Sequence, residues 1–355
     1  MNRWVRVPEF LFILAFAILL LVFPQVTVRT VSGGLSVCAC SILPSLFPFF
    51  VLTNLWISLG YANALSRAVA PAVQTVFHLP GPAASAILLG ALGGYPVGAQ
   101  AAAQLYRDHL ISREDAQQVL LFCNNAGPAF IFGILGGGLF QSTAAGAILW
   151  AIHLGSSILL GILFRPRKRP SAEPAPVSVS ETKPFLPALT AAVTQAGETA
   201  FRVCTFVLFF SVAVGFLQFL VPDSWQASSW FTLFLGSLEL AGGAKLLTAA
   251  SLSPAAAFVA ASGLLGWGGL CVHCQTLSTL SEAGLSAKSY LGGKLLHGLV
   301  SASAACLLLP TVPIRTACFS SASSWHPSLT FLPLLLPLIA ALLKSSSGKQ
   351  PKKRV

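Results

Sequence analysis

The chain has 355 residues, of which 55% are hydrophobic and only 9% are charged. Soluble domains carry about 25% charged residues, so composition excludes an ordinary soluble protein. The formal net charge of +11 would suit a nucleic-acid binder, but the basic clusters flank apolar runs and lack the interleaved aromatic residues of a nucleic-acid groove. We therefore predict an all-α polytopic membrane protein that contacts the lipid bilayer and binds no nucleic acid.

The first half of the chain opens with an apolar run near residues 10–28. No small-residue cleavage site follows this run, so we interpret it as a retained first span and not as a signal peptide. A full helical crossing takes about 20 apolar residues. Further helical runs are predicted near residues 35–59, 83–104, 118–140 and 144–164.

The stretch GGYPVG, Gly93–Gly98, interrupts the third of these runs. It cannot continue a regular helix, and it exposes backbone amides with little side-chain bulk. A half-helix that begins after Pro96 would direct its amides and the positive end of its dipole toward an anion. Close packing of two helices through small residues is the alternative. Gly94, Tyr95, Pro96 and Gly98 are therefore candidate solute-binding residues.

A second interruption lies in the stretch LFCNNAGPAFIFG, Leu121–Gly133. Irregular backbone survives in the hydrocarbon layer only inside protein or beside a watery cavity. Asn124 and Asn125 have two open roles: they either bond the groups freed by a break at Gly127-Pro128, or offer their amides to a solute. We take Asn124, Asn125 and Gly127 as candidate solute-binding residues.

A basic segment rich in Pro and Ser, Arg165–Pro184, divides the membrane part into two halves. It cannot bury a core, and basic residues between spans are held on the cytoplasmic side. The predicted organisation is a first membrane half (1–164), a cytoplasmic linker (165–187), a second membrane half (188–343) and a basic cytoplasmic tail (344–355).

The second half repeats the order of features seen in the first. Aligned on glycine pairs, residues 93–94 correspond to 242–243, and Gly127 corresponds to Gly269 with a few residues of slip. Paired interruptions in corresponding halves are the best sequence indication of a transporter's binding site. If all three basic segments are cytoplasmic, each half must cross the membrane an even number of times. Each half has five apolar runs, so at least one run in each half is predicted to be re-entrant or interfacial. The second set lies near residues 199–221, 229–250, 255–280, 290–312 and 328–343.

Glu239 lies at the centre of an apolar run, although the chain has only ten acidic residues. An ionisable group at the centre of a span costs roughly 2.5–3.5 kcal/mol, so it usually faces a cavity or a partner. We predict a coupling or gating role for Glu239. Lys245 would neutralise solute charge if a break at residues 242–243 brought the two together. A buried structural ion pair is the alternative.

The remaining titratable residues and cysteines give weaker indications of a functional site. His273, Lys294 and His297 are titratable candidates whose simpler interpretation is a satisfied interior side chain. The segment Cys271–Cys274 resembles half of a zinc site, but no second pair stands at ligand spacing, so we predict no metal and no cofactor. Nucleotide-loop, zincin and hydrolase motifs are absent from the sequence, and we predict no enzyme activity. Cys271 and His273 could serve an intramembrane enzyme only from different helix faces.

Three stretches together resemble one family. ILPSLFPFFVLTNL (Ile42–Leu55), GGYPVGAQ (Gly93–Gln100) and LISREDAQQVLLFCNNAGPAFIFG (Leu110–Gly133) are similar to the YlbJ-type sporulation integral membrane proteins, within the group that shares the Gate, or nucleoside-recognition, domain. The resemblance implies a multi-pass protein of the mother-cell membrane around the forespore, associated with passing dipicolinic acid toward the spore. In the second half, the segment Glu239–Gly242 is similar to a Glu-x-x-Gly element of this group. Ala241 stands where the group is expected to have a small hydroxyl residue.

The leading prediction is a sporulation-associated transporter of a small organic anion, with dipicolinate as the solute that the resemblance implies. The rivals are a nucleoside-type transporter and a non-transporting scaffold that recruits sporulation or cell-wall partners through its basic segments. Partner membrane proteins and homo-oligomers are left open.

Overall fold

Backbone groups inside a membrane must be hydrogen-bonded within their own segment or to neighbouring protein, which favours helices. The computed structural model describes residues 7–167, 184–226, 228–249 and 252–309, and in these ranges it contains helices and no strand. The predicted all-α class is confirmed. The predicted run at 328–343, the tail and most of the linker lie outside the described residues.

The described part of the first half contains eight α-helices and two π-helical segments. In chain order they are α1 (Val7–Val22), α2 (Pro24–Val37), π1 (Cys38–Ile42), α3 (Leu43–Ser58), α4 (Tyr61–Val76), α5 (Ala83–Gly93), α6 (Val97–Arg107), α7 (Arg113–Leu120), π2 (Ala129–Leu139) and α8 (Thr143–Leu163). The second half contains seven described helices: α9 (Phe185–Leu220), α10 (Asp223–Gln226), α11 (Ser229–Leu238), α12 (Leu240–Ala249), α13 (Pro254–Trp267), α14 (Gly269–Glu282) and α15 (Lys288–Leu308).

Among the described residues, five helical segments are long and apolar enough to cross a membrane. They are Pro24–Ser58, Thr143–Leu163, Phe185–Leu220, Pro254–Glu282 and Lys288–Leu308. The chain is therefore a multi-pass membrane protein.

Two long helical segments lie side by side and set the direction of the fold. The thiol of Cys38 donates to the carbonyl of Cys204 at 3.8 Å, and the amide of Asn54 contacts the carbonyl of Ala192 at 3.5 Å. Because rising numbers on one segment meet falling numbers on the other, α2–π1–α3 and α9 are antiparallel. We call the end of α9 at Phe185 the linker side and its other end the far side.

Two pairs of short helices fold back on themselves as hairpins. In the first, α5–α6, a Cβ atom at Gly98 would lie 2.8 Å from the Gly90 Cα. In the second, α11–α12, a Cβ atom at Gly243 would lie 2.2 Å from the Gly236 Cα. Only glycine allows two helix backbones to approach this closely.

The two hairpins enter the fold from opposite ends. Arg107, at the end of α6, lines a cavity together with Asn54 and Ile57, close to the end of α3 on the linker side. The second hairpin instead follows Leu220, the far-side end of α9, after the short helix α10. The hairpins are therefore inverted with respect to each other, as in transporters built from inverted repeats.

Within the described residues, the two halves share one order of elements. Each has a long helical segment, a hairpin, a broken helix and then a helix of 21 residues (α8 and α15). The breaks lie at residues 121–128, between α7 and π2, and at Gly268, between α13 and α14. Phe258 and Leu265 from the second half pack in one buried cluster with Ile131 and Leu149 from the first.

One predicted break is wrong. The tip of the second hairpin is Glu239, an extended residue with φ −138° and ψ 115°, and Gly242 and Gly243 lie inside α12. The Glu239 carboxylate accepts hydrogen bonds from the backbone amides of Ala241 and Gly242. An acid at this position caps a helix N-terminus and favours a break immediately before it. The glycine pair serves close helix packing instead.

Candidate functional site

The four interruptions of the helices meet at one place. A Cβ atom at Gly94, whose φ is +79°, would lie 2.7 Å from the Gly127 backbone nitrogen, so the first hairpin tip touches the first break. A Cβ atom at Gly268 would lie 3.5 Å from the Tyr95 hydroxyl. At Gly269 the added atom would lie 3.3 Å from the nitrogen of Leu240, beside the second tip. The interruptions of both halves therefore meet in one small region.

A small cavity of about 60 Å³ lies between these breaks. Four predicted site residues line it, namely Gly94, Tyr95, Gly127 and Glu239. Side chains from α3, α9 and α14 complete the wall, among them Phe50, Val203, Val207, Cys271 and Gln275. Because one water occupies about 30 Å³ of liquid volume, the cavity in this arrangement has room for about two water molecules.

Glu239 contributes a carboxylate to this cavity and is only 5% exposed. Oε1 accepts from the Ala241 amide at 2.8 Å, and Oε2 accepts from the Gly242 amide. These amides form the N-terminus of α12, where the helix dipole favours a negative charge. The second hairpin tip is thus an anionic side chain held by its own helix.

Asn124 ties the first break to both halves. Its side-chain oxygen accepts from the Ala99 amide of the first hairpin at 3.4 Å. Its side-chain nitrogen donates to the Thr276 hydroxyl at 3.1 Å and approaches the Tyr290 hydroxyl at 3.5 Å, both in the second half. The predicted alternative that the asparagines bond groups around the break and join helices is therefore observed.

Asn125 holds the break more locally. Its side-chain nitrogen donates to the Phe122 carbonyl and to the Ser157 hydroxyl, each at 3.1 Å. Its side-chain oxygen is buried and has no hydrogen-bond partner among the described residues. An unpaired buried acceptor is costly, which makes this oxygen an unsatisfied group at the first break.

Asn124, Asn125, Pro96 and Gly98 are not among the described lining residues of the cavity. Pro96 directly precedes α6, and the peptide bond between Tyr95 and Pro96 is cis. Gly98 packs against the first break, where a Cβ atom would lie 2.3 Å from the Cys123 carbonyl oxygen. The backbone of Lys245 lies in α12, and its side chain is outside the described part of the structure.

A different lysine, Lys294 of α15, reaches the meeting point of the breaks. Its ammonium group donates to the Tyr95 hydroxyl and to the Asn124 carbonyl, each at 3.2 Å, and lies 3.4 Å from His297 Nδ1. The residue is 1% exposed, and the ammonium lies 4.9 Å from the centre of the Tyr95 ring. Among the described residues, the hydrogen-bond partners of Lys294 are a hydroxyl, a carbonyl and an imidazole, and none is a carboxylate that would neutralise a buried ammonium.

Two histidines continue this polar network between the final helices of the halves. His297 Nε2 lies 2.9 Å from the His153 carbonyl, and the two rings are 4.4 Å apart. His153 Nε2 accepts from the Ala126 amide at 2.9 Å, so in the neutral ring Nδ1 carries the proton. That Nδ1 is buried and has no hydrogen-bond partner among the described residues.

His273 forms a separate contact with Tyr290. Its Nδ1 lies 2.9 Å from the Tyr290 hydroxyl, and its ring packs edge-on against Trp267 with centroids 4.2 Å apart. Cys271 lines the cavity, whereas His273 is not among its described lining residues. The two side chains therefore contact different surroundings.

Sequence reasoning ranked Lys294 and His297 low and did not single out His153, Thr276 or Tyr290. The available signal was position. His153 lies near the middle of α8, and Lys294 and His297 lie in the first half of α15, where polar groups inside an apolar helix usually have a function.

Two comparisons with known proteins match this chain by sequence. Residues 39–140, which contain the first hairpin and the first break, match the Gate family, described as nucleoside recognition. The chain is 28% identical to the sporulation integral membrane protein YlbJ of Bacillus subtilis (strain 168) over 338 residues, which covers 85% of this chain and 80% of that protein. No solved structure matches the chain. The predicted resemblance to YlbJ-type proteins is confirmed, and these findings support a sporulation-associated membrane protein.

Proposed function

We propose that the protein is a membrane transporter that carries a small organic anion through the meeting point of its four helix breaks. One observation carries the proposal: two inverted hairpins and two broken helices converge on a cavity beside a buried lysine and a buried glutamate. A static anchor has no need of four interruptions, each of which gives up helical hydrogen bonds in a low-dielectric region.

Lys294 is the proposed counter-charge for the solute. Its ammonium contacts the Tyr95 hydroxyl and the Asn124 carbonyl, which are neutral groups at the first tip and the first break. A carboxylate that displaced the carbonyl contact would pair with the ammonium and receive charge-assisted hydrogen bonds. The first hairpin tip would add the Gly94 backbone and the Tyr95 ring as a surface for an aromatic solute.

Transport then requires the hairpins to move. A cavity of about 60 Å³ holds no solute larger than a few waters, so the described arrangement corresponds to a closed site. We propose that each hairpin is re-entrant, one from each face, and that the two open alternately around the fixed site, as in other inverted-repeat carriers.

Dipicolinate is the solute we propose, and the membrane around the forespore is the proposed location. The support comes from the printed name of the relative, a sporulation integral membrane protein, and from the family association with dipicolinic acid. Dipicolinate is a small aromatic dianion, which suits a buried ammonium beside a tyrosine ring. The driving force would be a gradient or a partner protein, because the sequence contains no nucleotide-binding loop.

The test is uptake of dipicolinate into liposomes that contain the purified protein and trapped Tb³⁺, read as terbium luminescence. Empty liposomes and Glu239→Gln protein are the controls. We expect a signal above empty liposomes that falls in the variant. Correctly inserted protein that gives no signal under several imposed gradients would contradict dipicolinate transport and favour the scaffold hypothesis, under which neutral replacement of residues 165–169 abolishes sporulation function.

A nucleoside is the second candidate solute. The Gate match is described as nucleoside recognition, and the unpartnered oxygen of Asn125 would accept from a ribose hydroxyl or a base amine. Uptake of labelled uridine by the same liposomes distinguishes the two. Saturable uridine flux without dipicolinate flux would replace the proposed solute and keep the proposed site.

A further inference from the structure

A second and wider cavity opens on the linker side of the site. Its volume is about 370 Å³, within the range of roughly 300–1,000 Å³ that is typical of small-molecule pockets. It is bounded by α3, by the first hairpin, by α9 and by the end of α14. We call it the linker-side vestibule.

One aromatic side chain separates the vestibule from the small cavity between the breaks. Phe50 lines both spaces and is only 3% exposed. Along α9 the small cavity is lined at Val203 and Val207, and the vestibule is lined at Thr199 and Arg202, which lie nearer the linker. The two spaces therefore share Phe50 as a wall, and the vestibule lies nearer the linker end of α9.

The side chains that line the vestibule carry a net positive charge. Arg107 and Arg202 line it, together with a single acid, Glu282. One guanidinium nitrogen of Arg107 donates to the Gln104 side-chain oxygen at 2.6 Å, which fixes the end of the side chain. Within the described part of the chain, neither arginine forms an ion pair with a carboxylate. Guanidinium groups recognise carboxylates with two parallel hydrogen bonds.

We infer that the linker-side vestibule captures small carboxylate solutes through Arg107 and Arg202 before they pass Phe50 to the central site. This inference rests on the proposed transport function and adds to it a first binding site, a side of access and a barrier residue. Two arginines from different helices, α6 and α9, suit a solute with two carboxylates better than a solute with one. Because the linker is predicted to be cytoplasmic, the solute is captured from the cytoplasmic side.

The experiment measures initial uptake rates against dipicolinate concentration for Arg107→Gln and Arg202→Gln in Tb³⁺ liposomes. Each change removes a charge that acts on the free solute, so we expect KM to rise about five- to tenfold, with kcat within about twofold. Arg202→Lys keeps the charge and should give an intermediate KM. Arg67→Gln, which removes an exposed arginine of α4 that does not line the vestibule, is the matched control.

Two further variants separate capture from passage. Glu282→Gln removes the opposing charge and should lower KM about two- to threefold at low salt, with the difference shrinking as salt screens the vestibule. Phe50→Ala should raise kcat with little change in KM, because the ring limits passage and does not bind the solute.

The outcomes distinguish this inference from the proposed function. Wild-type uptake with an unchanged KM in both arginine variants would overturn the vestibule and leave transport standing. Absence of wild-type dipicolinate uptake would overturn dipicolinate as the transported solute, and equilibrium binding of dipicolinate to the purified proteins would then decide the vestibule. Binding that is equal in wild-type and Arg202→Gln protein would overturn it as well.

Discussion

The two hairpins have the same backbone arrangement, but their tips differ in chemistry. The first tip, Gly94–Pro96, contains no charged residue, and its Tyr95 hydroxyl contacts the Lys294 ammonium at 3.2 Å. The second tip is Glu239, whose carboxylate accepts from two amides of its own helix. The two hairpins thus share glycine-mediated helix packing, whereas the first tip contacts a cationic side chain and the second tip is itself an acidic side chain. A solute anion is suited to the first tip, and a coupling cation or a proton is suited to the second.

The largest expected effect is a loss of stability when the glycines that pack the two helices of each hairpin are replaced. Gly98→Ala would place a Cβ atom 2.3 Å from the Cys123 carbonyl oxygen, and Gly243→Ala would place one 2.2 Å from the Gly236 Cα. Backbone atoms cannot move aside as a side chain can, so each variant should lose folded protein or melt well below the wild type. Thermal unfolding in detergent, followed by fluorescence-detected gel filtration, measures this.

The matched control is Gly155→Ala in α8, where an added Cβ meets nothing within 4 Å. Alanine at that position should be neutral or stabilising by up to about 1 kcal/mol, because glycine is the poorer helix former. A Gly243→Ala protein that melts with the control would contradict the hairpin geometry of the second half and break its likeness to the first.

The next effect separates the tips by charge. Lys294→Met removes the proposed counter-charge, and we expect anion uptake to fall roughly 30- to 150-fold, the effect of losing a buried charge pair of about 2–3 kcal/mol. Lys288→Met, an exposed position at the start of the same helix, should transport normally. If Lys294→Met inserts and transports an anion at the wild-type rate, the solute is not held by this lysine, and Lys245→Met becomes the decisive variant.

Glu239→Gln should have a smaller effect on the rate and a different signature. The amide retains one acceptor oxygen for the α12 amides but replaces the other with a donor, so the capped N-terminus should lose about 0.5–2 kcal/mol. We expect uptake to fall about tenfold and to lose its dependence on the imposed ion or proton gradient. Gradient-dependent uptake that survives in the variant would remove the coupling role from the second tip.

Sequence alone predicted the interruptions that glycine and proline mark, but not those that depend on capping. GGYPVG and CNNAGP carry their own breaks, and both were placed correctly because these residues act on the local backbone. Glu239 breaks its helix through a carboxylate that caps the next one, whereas the nearby pair at 242–243 gave a stronger but misleading signal. Glycine pairs mark close packing as often as breaks.

The position of Lys294 at the meeting point of the breaks could not be predicted from the sequence. Lys294 reaches the site because α15 packs against α13, where a Cβ atom at Gly266 would lie 2.6 Å from the Gly298 Cα. That contact joins residues far apart in the chain, and no local sequence pattern near Lys294 predicts it. The order of elements in the two halves was predictable, and the long-range packing that selects the side chains was not.

The smallest effect compares two neighbouring asparagines of the first break. Asn124 joins the first hairpin to α14 through the Ala99 amide and the Thr276 hydroxyl. Among the described residues, Asn125 bonds only within the first half, and its partner Ser157 keeps a hydrogen bond of 2.6 Å to the Phe122 carbonyl without it. Asn124→Ala should therefore cost about 1 kcal/mol more stability than Asn125→Ala, because it leaves more buried groups unpaired.

Uptake by the same two variants gives the opposite ranking if Asn125 meets the solute. Its unpartnered oxygen contributes little to the folded state, so Asn125→Ala should insert and melt nearly as the wild type does while its KM rises. The double variant should combine both defects. Wild-type uptake by correctly inserted double variant would show that the first break only supports the frame, and would assign solute contact to the Gly94–Tyr95 tip and Lys294 alone.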